Sequence, residues 1–531
     1  MTATRTLPRH IADLNPTTGA HAPKLSRSQR RKARKAQRRL EQVGHQPTKA
    51  TWRPDNTGGT RRNRTYEHKE RMAVTVKADV ILSSPDFWNV ACALPGNTRT
   101  PGKNGRPNDY PTWVMLFVVA MTPLLGSRRE VFTYLTDVKL WLRWRETAHQ
   151  HLPEGFDPAG STPPKDHHLD YWLKAKWDSP AWAEHRDNAV KAFRGTALHL
   201  AQGLGHLPSD HPMYYKRPAT SQWVAFDGTV YPGPSNKTFD DADRRHDPAS
   251  GWHNKYGDDK VRVWGSKYVF ASMRSEDWHG RIVLDFQHVK GPNNVSGIGD
   301  EGAVIEQMAY RIKAQAPGMC GLIVDGILKG NTIARLAARG LFTINWPTAK
   351  SHKDRATQGT HNDTREEKFA KVYVWTHERR NGTECKHDIW ALGTQLHERV
   401  PDAKGREAFV PLETTAVQTR KNADSTQRHY LRANVQCLGR KVVAMVPMYH
   451  QPENGPVINR GEYIRLYAPG TWQFGALYGR RNDTESLHDE MKRRMPRLPA
   501  YGAERQALFV LGFSLGYNAI TRHIAANPPG G

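Results

Sequence analysis

The sequence predicts an α/β (α+β) chain in which a helical region, a sheet-rich middle and a helical end follow one another. Three observations carry that expectation. Between about 66 and 215 the apolar residues fall in long stretches. From about 216 they shorten to runs of four or five bounded by turn residues, with two helix-length stretches among them. After about 471 the helical pattern returns.

The chain has 531 residues, 37 % of them hydrophobic, enough for roughly two to four ordinary domains and a sizeable core. The mean hydropathy of −0.73 fits a soluble protein rich in polar surface. A formal charge of +26 calls for a polyanionic partner, and nucleic acid is the first candidate. Cys92, Cys320, Cys385 and Cys437 lack the spacing of a zinc ribbon or a redox pair, so they are expected as core residues in a reducing cytoplasm. His167, His168 and His253 are the most conspicuous histidines, but none has zinc-ligand spacing and a surface role is expected. No apolar segment marks a signal peptide, and the longest apolar run, Trp113 to Leu125, contains Pro123 and falls short of the roughly 20 residues of a membrane span. It reads as a buried helix, and no membrane partner is expected.

Taken in order, residues 1–65 carry 16 Lys or Arg against three acidic residues, a net +13. The densest stretch, RSQRRKARKAQRR from Arg27 to Arg39, repels itself and has little to bury, so a disordered basic arm is expected that orders on a phosphate backbone. Arg30, Arg31, Lys32, Arg34 and Lys35 are its candidate DNA contacts. Residues 66–215 form a helical region. Tyr110 to Ala120 is apolar throughout, and Ser127-Arg128-Arg129-Glu130 reads as a capping box opening a helix to about Arg145. Two helices about a Pro/Gly turn suit a helix-turn-helix DNA reader, and core packing accounts for the same pattern equally well.

Residues 216–349 hold the short apolar runs Gln222–Phe226, Tyr268–Ser272, Arg281–Phe286, Gly321–Val324 and Leu341–Asn345, with helical stretches at Ala303–Ala314 and Asn331–Arg339. Residues 350–470 show strand-like pieces at Lys371–Trp375, Asp388–Leu392 and Lys441–Met445 among polar loops, a β-rich insertion. In residues 471–531, helices are expected over Tyr478–Met495 and Glu504–Ala525. No internal repeat is visible.

Three places look built for chemistry. Val224-Ala225-Phe226-Asp227-Gly228 and Leu322-Ile323-Val324-Asp325-Gly326 both read as a strand ending in Asp-Gly, where a sheet edge leaves room for ligands. The third is the stretch from Tyr478 to Lys492. On a continuous helix Arg481, Glu485 and Lys492 would lie at about −60°, −20° and −40° from Tyr478, one narrow face, while Leu487, Met491 and Met495 pack behind it. Arg481 and Lys492 could neutralise phosphates and Tyr478 could hydrogen-bond or stack, leaving Glu485 to complete a metal site. Glu490 and Asp489 share that helix, but Asp489 lacks the spacing; Asp285 is expected to be structural and the acidic stretch Asp240-Asp241-Ala242-Asp243 a loop.

The spacing Tyr478-x2-Arg481-x3-Glu485-x6-Lys492 resembles the signature of bacterial insertion-sequence transposases, the cut-and-paste DDE enzymes. The region after Asp325, through Leu336-Ala-Ala-Arg339-Gly340, is similar to that family's second-Asp region, and Arg106–Thr136 is similar to its helical N-terminal part. The resemblance implies a ribonuclease H-like catalytic core formed by 216–349 and 471–531 and interrupted by the β-rich insertion. It also implies that 66–215 is a DNA-binding region. By the same resemblance Asp227, Asp325 and Glu485 would be catalytic metal ligands, and Tyr478, Arg481 and Lys492 would contact the element's end. Such insertions can carry an aromatic that holds a flipped base; Trp375 and Trp390 are the candidates, and a core role is expected for both.

Carboxylates gathered at one point repel by about 4 kcal/mol per pair at 4 Å, so divalent cations are expected among them: two Mg²⁺, with Mn²⁺ able to substitute. They would serve hydrolysis of a strand at a terminal inverted repeat, then attack of the freed 3′-hydroxyl on target DNA. The expected partners are double-stranded DNA, both transposon ends and target, and a second copy of the chain as a homodimer on DNA, in the cytoplasm at the nucleoid. The alternatives are a host-recruited ribonuclease H-like nuclease or recombinase, and a DNA-binding protein with silent acids.

Overall fold

The computed structural model describes residues 72–95, 110–235, 238, 246–255, 258–274, 280–289, 300–347, 369–379, 381–401, 405–452 and 456–527. The chain divides into two units, Met1–Pro54 and Asp55–Gly531, and every described residue lies in the second. The basic stretch with Arg30, Arg31, Lys32, Arg34 and Lys35 therefore lies outside the described residues, as do Asp240, Asp241 and Asp243.

Local capping chemistry sets the first helices. Ser84 accepts from the Asp86 amide, and Pro85 takes the first helical position, so α1 (Val74–Leu82) ends and α2 (Pro85–Cys92) begins there. Helix α3 (Thr112–Leu125) runs through Pro123 and stops only at Gly126, whose φ of +84° is a left-handed terminus. Thr112 to Met121 are all buried, so α3 is a core helix and no groove reader. Ser127 accepts from the Glu130 amide at 3.2 Å and opens α4 (Arg128–Leu135). The single helix expected to about Arg145 is two, because Asp137 accepts from the Lys139 amide and starts α5 (Val138–Gln150). Helices α6 (Asp166–Trp172) and α7 (Ala183–Gly203) complete this region.

The chain then builds a mixed sheet from β1 (Trp223–Tyr231), β2 (Gly251–Lys255), β3 (Asp258–Met273), β4 (Ile282–Val289), β5 (Gly321–Ile323) and β6 (Phe342–Ile344). Helix α8 (Glu301–Gln315) precedes β5, and α9 (Gly330–Ala338) links β5 to β6. The strand order is β2-β3-β1-β5-β6, with β4 also paired to β3. β3 runs antiparallel to β1 and β4, whereas β1, β5 and β6 are mutually parallel neighbours.

Side-chain alternation gives β1 two buried faces. Val224 and Phe226 join the core shared with the helices, while Trp223 and Ala225 join a second core formed with residues 369–478. That second layer is two antiparallel sheets. One holds β7 (Phe369–Glu378), β8 (Glu384–Leu392), β9 (Gln395–Pro401) and β10 (Glu407–Pro411) in the order β10-β9-β8-β7. The other holds β11 (Glu413–Lys421), β12 (Gln427–Cys437) and β13 (Arg440–Pro447). Arg465, fully buried, ties this layer to the end of β6 by donating to Asn345 Oδ1 at 2.7 Å.

Three helices close the chain: α10 (Trp472–Tyr478), α11 (Arg481–Arg494) and α12 (Ala503–Ala526). The one helix expected from Tyr478 to Met495 is broken at Gly479-Arg480, so Tyr478 ends one helix and Arg481 begins the next. The buried carboxylate of Asp247 fixes the start of α12, accepting from the Gly502 amide at 2.9 Å and Gln506 Nε2 at 2.6 Å. Among the described residues no helix is long and apolar enough to cross a membrane.

Candidate active site

The register of β1 against β5 is what brings the first two acids together. Trp223 pairs with Gly321 and Ala225 with Ile323, a constant offset of 98. Asp227 and Asp325 are separated by the same 98 positions, so parallel neighbours about 4.8 Å apart deliver both acids at one level. β1 does not end at Asp227, as the Asp-Gly pattern suggested. It continues to Tyr231, with Asp227 paired to Phe270 of β3. Only Asp325 follows the end of its strand.

The third acid arrives where the chain crosses between layers. Phe474 and Leu477 of α10 belong to the core on the insertion side; Leu487 and Met491 of α11 belong to the helical side. The Gly479-Arg480 turn lies at the crossing, and Arg481 and Glu485 follow it. Asp483, buried under Arg274 at 2.9 Å, and Thr484, 3.2 Å from Ser272 Oγ, hold α11 against β3.

Arg481 stands among the three acids. Its guanidinium is 2.8 Å from Glu485, 3.5 Å from Asp325 and 3.9 Å from Asp227. Burial disfavours its charge, yet Asp227, Asp325 and Glu485 together raise its pKa. Its Nε is buried without a hydrogen-bond partner. Asp227 is the enclosed acid, its side chain 15 % exposed against 60 % for Asp325 and 49 % for Glu485. Burial pushes its carboxyl up to about 7; Arg481 opposes the shift, and Glu301, Glu485 and Asp325 add to it. One buried, proton-retaining carboxylate among other acids is a site short of positive charge. The guanidinium of Arg481 supplies that charge here, and among the described residues the three carboxylates do not close to mutual metal-ligand distance.

Tyr478 also faces this cluster, since burial and then Asp325 raise its phenol. Lys492, two turns beyond Glu485, places its Nζ 5.6 Å from the ring centroid of buried Tyr231. Sequence reasoning missed three neighbours. Glu301, at the start of α8, is ion-paired with Lys267 and lies over Gly228, where a Cβ would fall 2.0 Å from its Oε1. His488 Nδ1 is 3.6 Å from Asp227 Oδ2, but burial, Lys492 and Arg481 press its pKa down to about 3, so it is neutral and this is no ion pair. Trp346, 42 % exposed, packs edge-on against Tyr478 and Phe474, with centroids at 6.1 and 5.3 Å. Only His488, three positions after Glu485, was close enough in sequence to be noticed.

Other expectations need correction. Trp375 and Trp390 are only half-buried: Trp390 stacks on Phe369, and Trp375 on His377. His253 is buried, donating from Nε2 to the Gly265 carbonyl, with burial pushing its pKa down to about 4. The absence of zinc-ligand spacing misled as well, because the fold gathers His377, Cys385, His387 and Cys437 in the insertion. Asp285, by contrast, is structural as expected, fully buried against Arg194 and Arg311. Comparison of the chain with protein-family models and with curated proteins finds no match.

Proposed function

We propose that this chain is a DNA transposase of the DDE type, cleaving and rejoining strands at the ends of a mobile element. The observation that carries the reading is the meeting of Asp227, Asp325 and Glu485 about one guanidinium, beside two internal strands of a mixed sheet. The strand run β4-β3-β1-β5-β6 supports a ribonuclease H-like core. Its first three strands are antiparallel, its last two parallel to β1, and the acids sit on β1, after β5 and on a later helix.

In this reading Asp227, Asp325 and Glu485 would hold Mg²⁺, or Mn²⁺ in its place. Once bound, it supplies activation of the attacking oxygen and neutralises charge on the leaving one. The chain's own groups position the DNA. Arg481, 20 % exposed among the acids, would turn its terminal nitrogens to a phosphate when cations take its place between the carboxylates. Tyr478 keeps its proton and can donate to a phosphate oxygen. The half-exposed face of Trp346 offers a surface on which an unstacked base can lie.

The test is a supercoiled plasmid carrying the gene's native flanking DNA, incubated with Mg²⁺ and either the natural protein or Glu485→Gln. Strand ends are then mapped. Cuts at a pair of inverted repeats, lost with the variant, are expected. Binding without cutting by either protein would replace the reading with a DNA-binding protein whose acids are silent. Cuts without flanking repeats would point to a nuclease.

A further inference from the structure

The insertion gathers a second set of ligating side chains, independent of the acids and of the transposase reading. Cys385 and His387 are two apart on β8 and so share a face. His377 on β7 is the register partner of Cys385. Cys437, the last residue of β12, comes from the other sheet. One ligand atom from each residue lies within 4.8 Å of all the others. Cys385 Sγ is 3.2 Å from His387 Nε2 and 3.5 Å from Cys437 Sγ. Zinc–sulfur bonds of about 2.3 Å and zinc–nitrogen bonds of about 2.0 Å in a tetrahedron separate the ligands by about 3.3–3.8 Å. Both measured separations lie near that range.

The surroundings are those of a ligand set. His387 directs Nδ1 to Glu398 Oε1 at 2.6 Å, with both side chains buried. That carboxylate fixes the imidazole so that Nε2 presents its lone pair to the cluster. His377 Nε2 is a buried nitrogen with no hydrogen-bond partner. Arg379 donates to Cys385 Sγ at 3.0 Å, a cation placed to favour a thiolate. Trp375 stacks on His377 with centroids 4.5 Å apart and covers the cluster from one side.

We propose that His377, Cys385, His387 and Cys437 form a tetrahedral zinc site that fastens the sheet of β7–β10 to the sheet of β11–β13. Two thiolates and two imidazoles are a donor set that selects zinc over the hard cation suited to the acids. Four protein ligands leave no position for substrate, so the role is structural. The site was invisible in the sequence because its ligands come from three strands, with 49 residues between His387 and Cys437.

The full chain, purified without chelators, is analysed for metal by plasma mass spectrometry. About one zinc per chain is expected, retained through dialysis. Replacement by cobalt should give the visible absorption of a tetrahedral thiolate site. A Cys385→Ser/Cys437→Ser double variant should lose both the zinc and the cobalt spectrum. Since that variant can also lose the insertion's fold, the natural protein is titrated with a thiol-binding mercurial, and zinc release is expected to keep pace with the appearance of two buried thiols. The proposal is overturned by a chain that neither holds zinc nor takes up cobalt. Zinc retained by the double variant overturns it too, because the metal is then bound elsewhere. A Cys385–Cys437 disulfide in freshly purified protein would likewise overturn it.

Discussion

Asp227 carries the electrostatic strain of the candidate site. Its folded pKa of about 7 lies above the roughly 3.9 of an unfolded aspartate, so the folded chain holds the proton more tightly. The sign follows from linkage: stability falls as pH rises from about 4 to about 7, and above that the ionised, buried carboxylate is a standing cost of a few kcal/mol at most. Asp227→Asn is therefore expected to raise Tm at pH 8 in EDTA, and to do so much less at pH 5. Mg²⁺ should raise Tm of the natural protein while leaving the variant nearly unmoved. Differential scanning fluorimetry at both pH values checks this, and a variant no more stable than the parent at pH 8 would remove the strain argument. Asp325→Asn, by contrast, alters a mostly exposed acid. It should change stability by less than about 0.5 kcal/mol while abolishing strand transfer. A plasmid strand-transfer assay on well-folded protein separates the two effects.

At the scale of elements, α12 lies against α3 through glycines. Pro123 has no amide hydrogen, so the Val119 carbonyl of α3 lacks its helical donor. A Cβ at Gly512 would fall 2.7 Å from that same oxygen, whereas at Gly516 its nearest contact is the Ile81 Cδ1 at 3.3 Å. Gly512→Ala is thus expected to destabilise by about 1–3 kcal/mol, because backbone must move. Gly516→Ala meets only a flexible side-chain tip and should be near neutral; urea midpoints of the two variants give the comparison, and equal midpoints would contradict it. These pairings were not legible in the sequence, which shows only an apolar run and a second helix. The strands of the central sheet were legible, since Trp223–Phe226 and Leu322–Val324 are buried on both faces and read as continuous apolar runs. β12 was passed over although its pattern is readable: from His429 to Cys437 buried Leu431, Ala433 and Val435 alternate with Tyr430, Arg432, Asn434 and Gln436, a half-buried strand with no continuous apolar run. The break after Tyr478 was hidden because Gly479 and Arg480 keep right-handed helical angles through the turn.

Across the whole molecule, charge and chemistry occupy different parts of the chain. Asp227 and Asp325 were legible because each follows an apolar run and precedes Gly; that their 98-residue spacing is also the register offset of two parallel strands, which brings them together, was not. The +13 of residues 1–65 is half of the total charge, yet none of the acids and none of the zinc ligands lies there. A partner bound through that segment is bound by counterion release, which sets the slope of log K against log salt at about −0.9 per phosphate neutralised. Deleting residues 1–65 should therefore flatten the slope for duplex DNA by several units and weaken binding most at low salt. The positions of Mg²⁺-dependent cuts should stay where they were, because Asp227, Asp325, Glu485 and Arg481 remain. Fluorescence anisotropy across a KCl series measures the slope, and end-mapping on the same DNA measures the cuts. An unchanged slope would mean that residues 66–531 alone carry the DNA contacts. Exposed cations of α4, α5 and the insertion would then be the place to look.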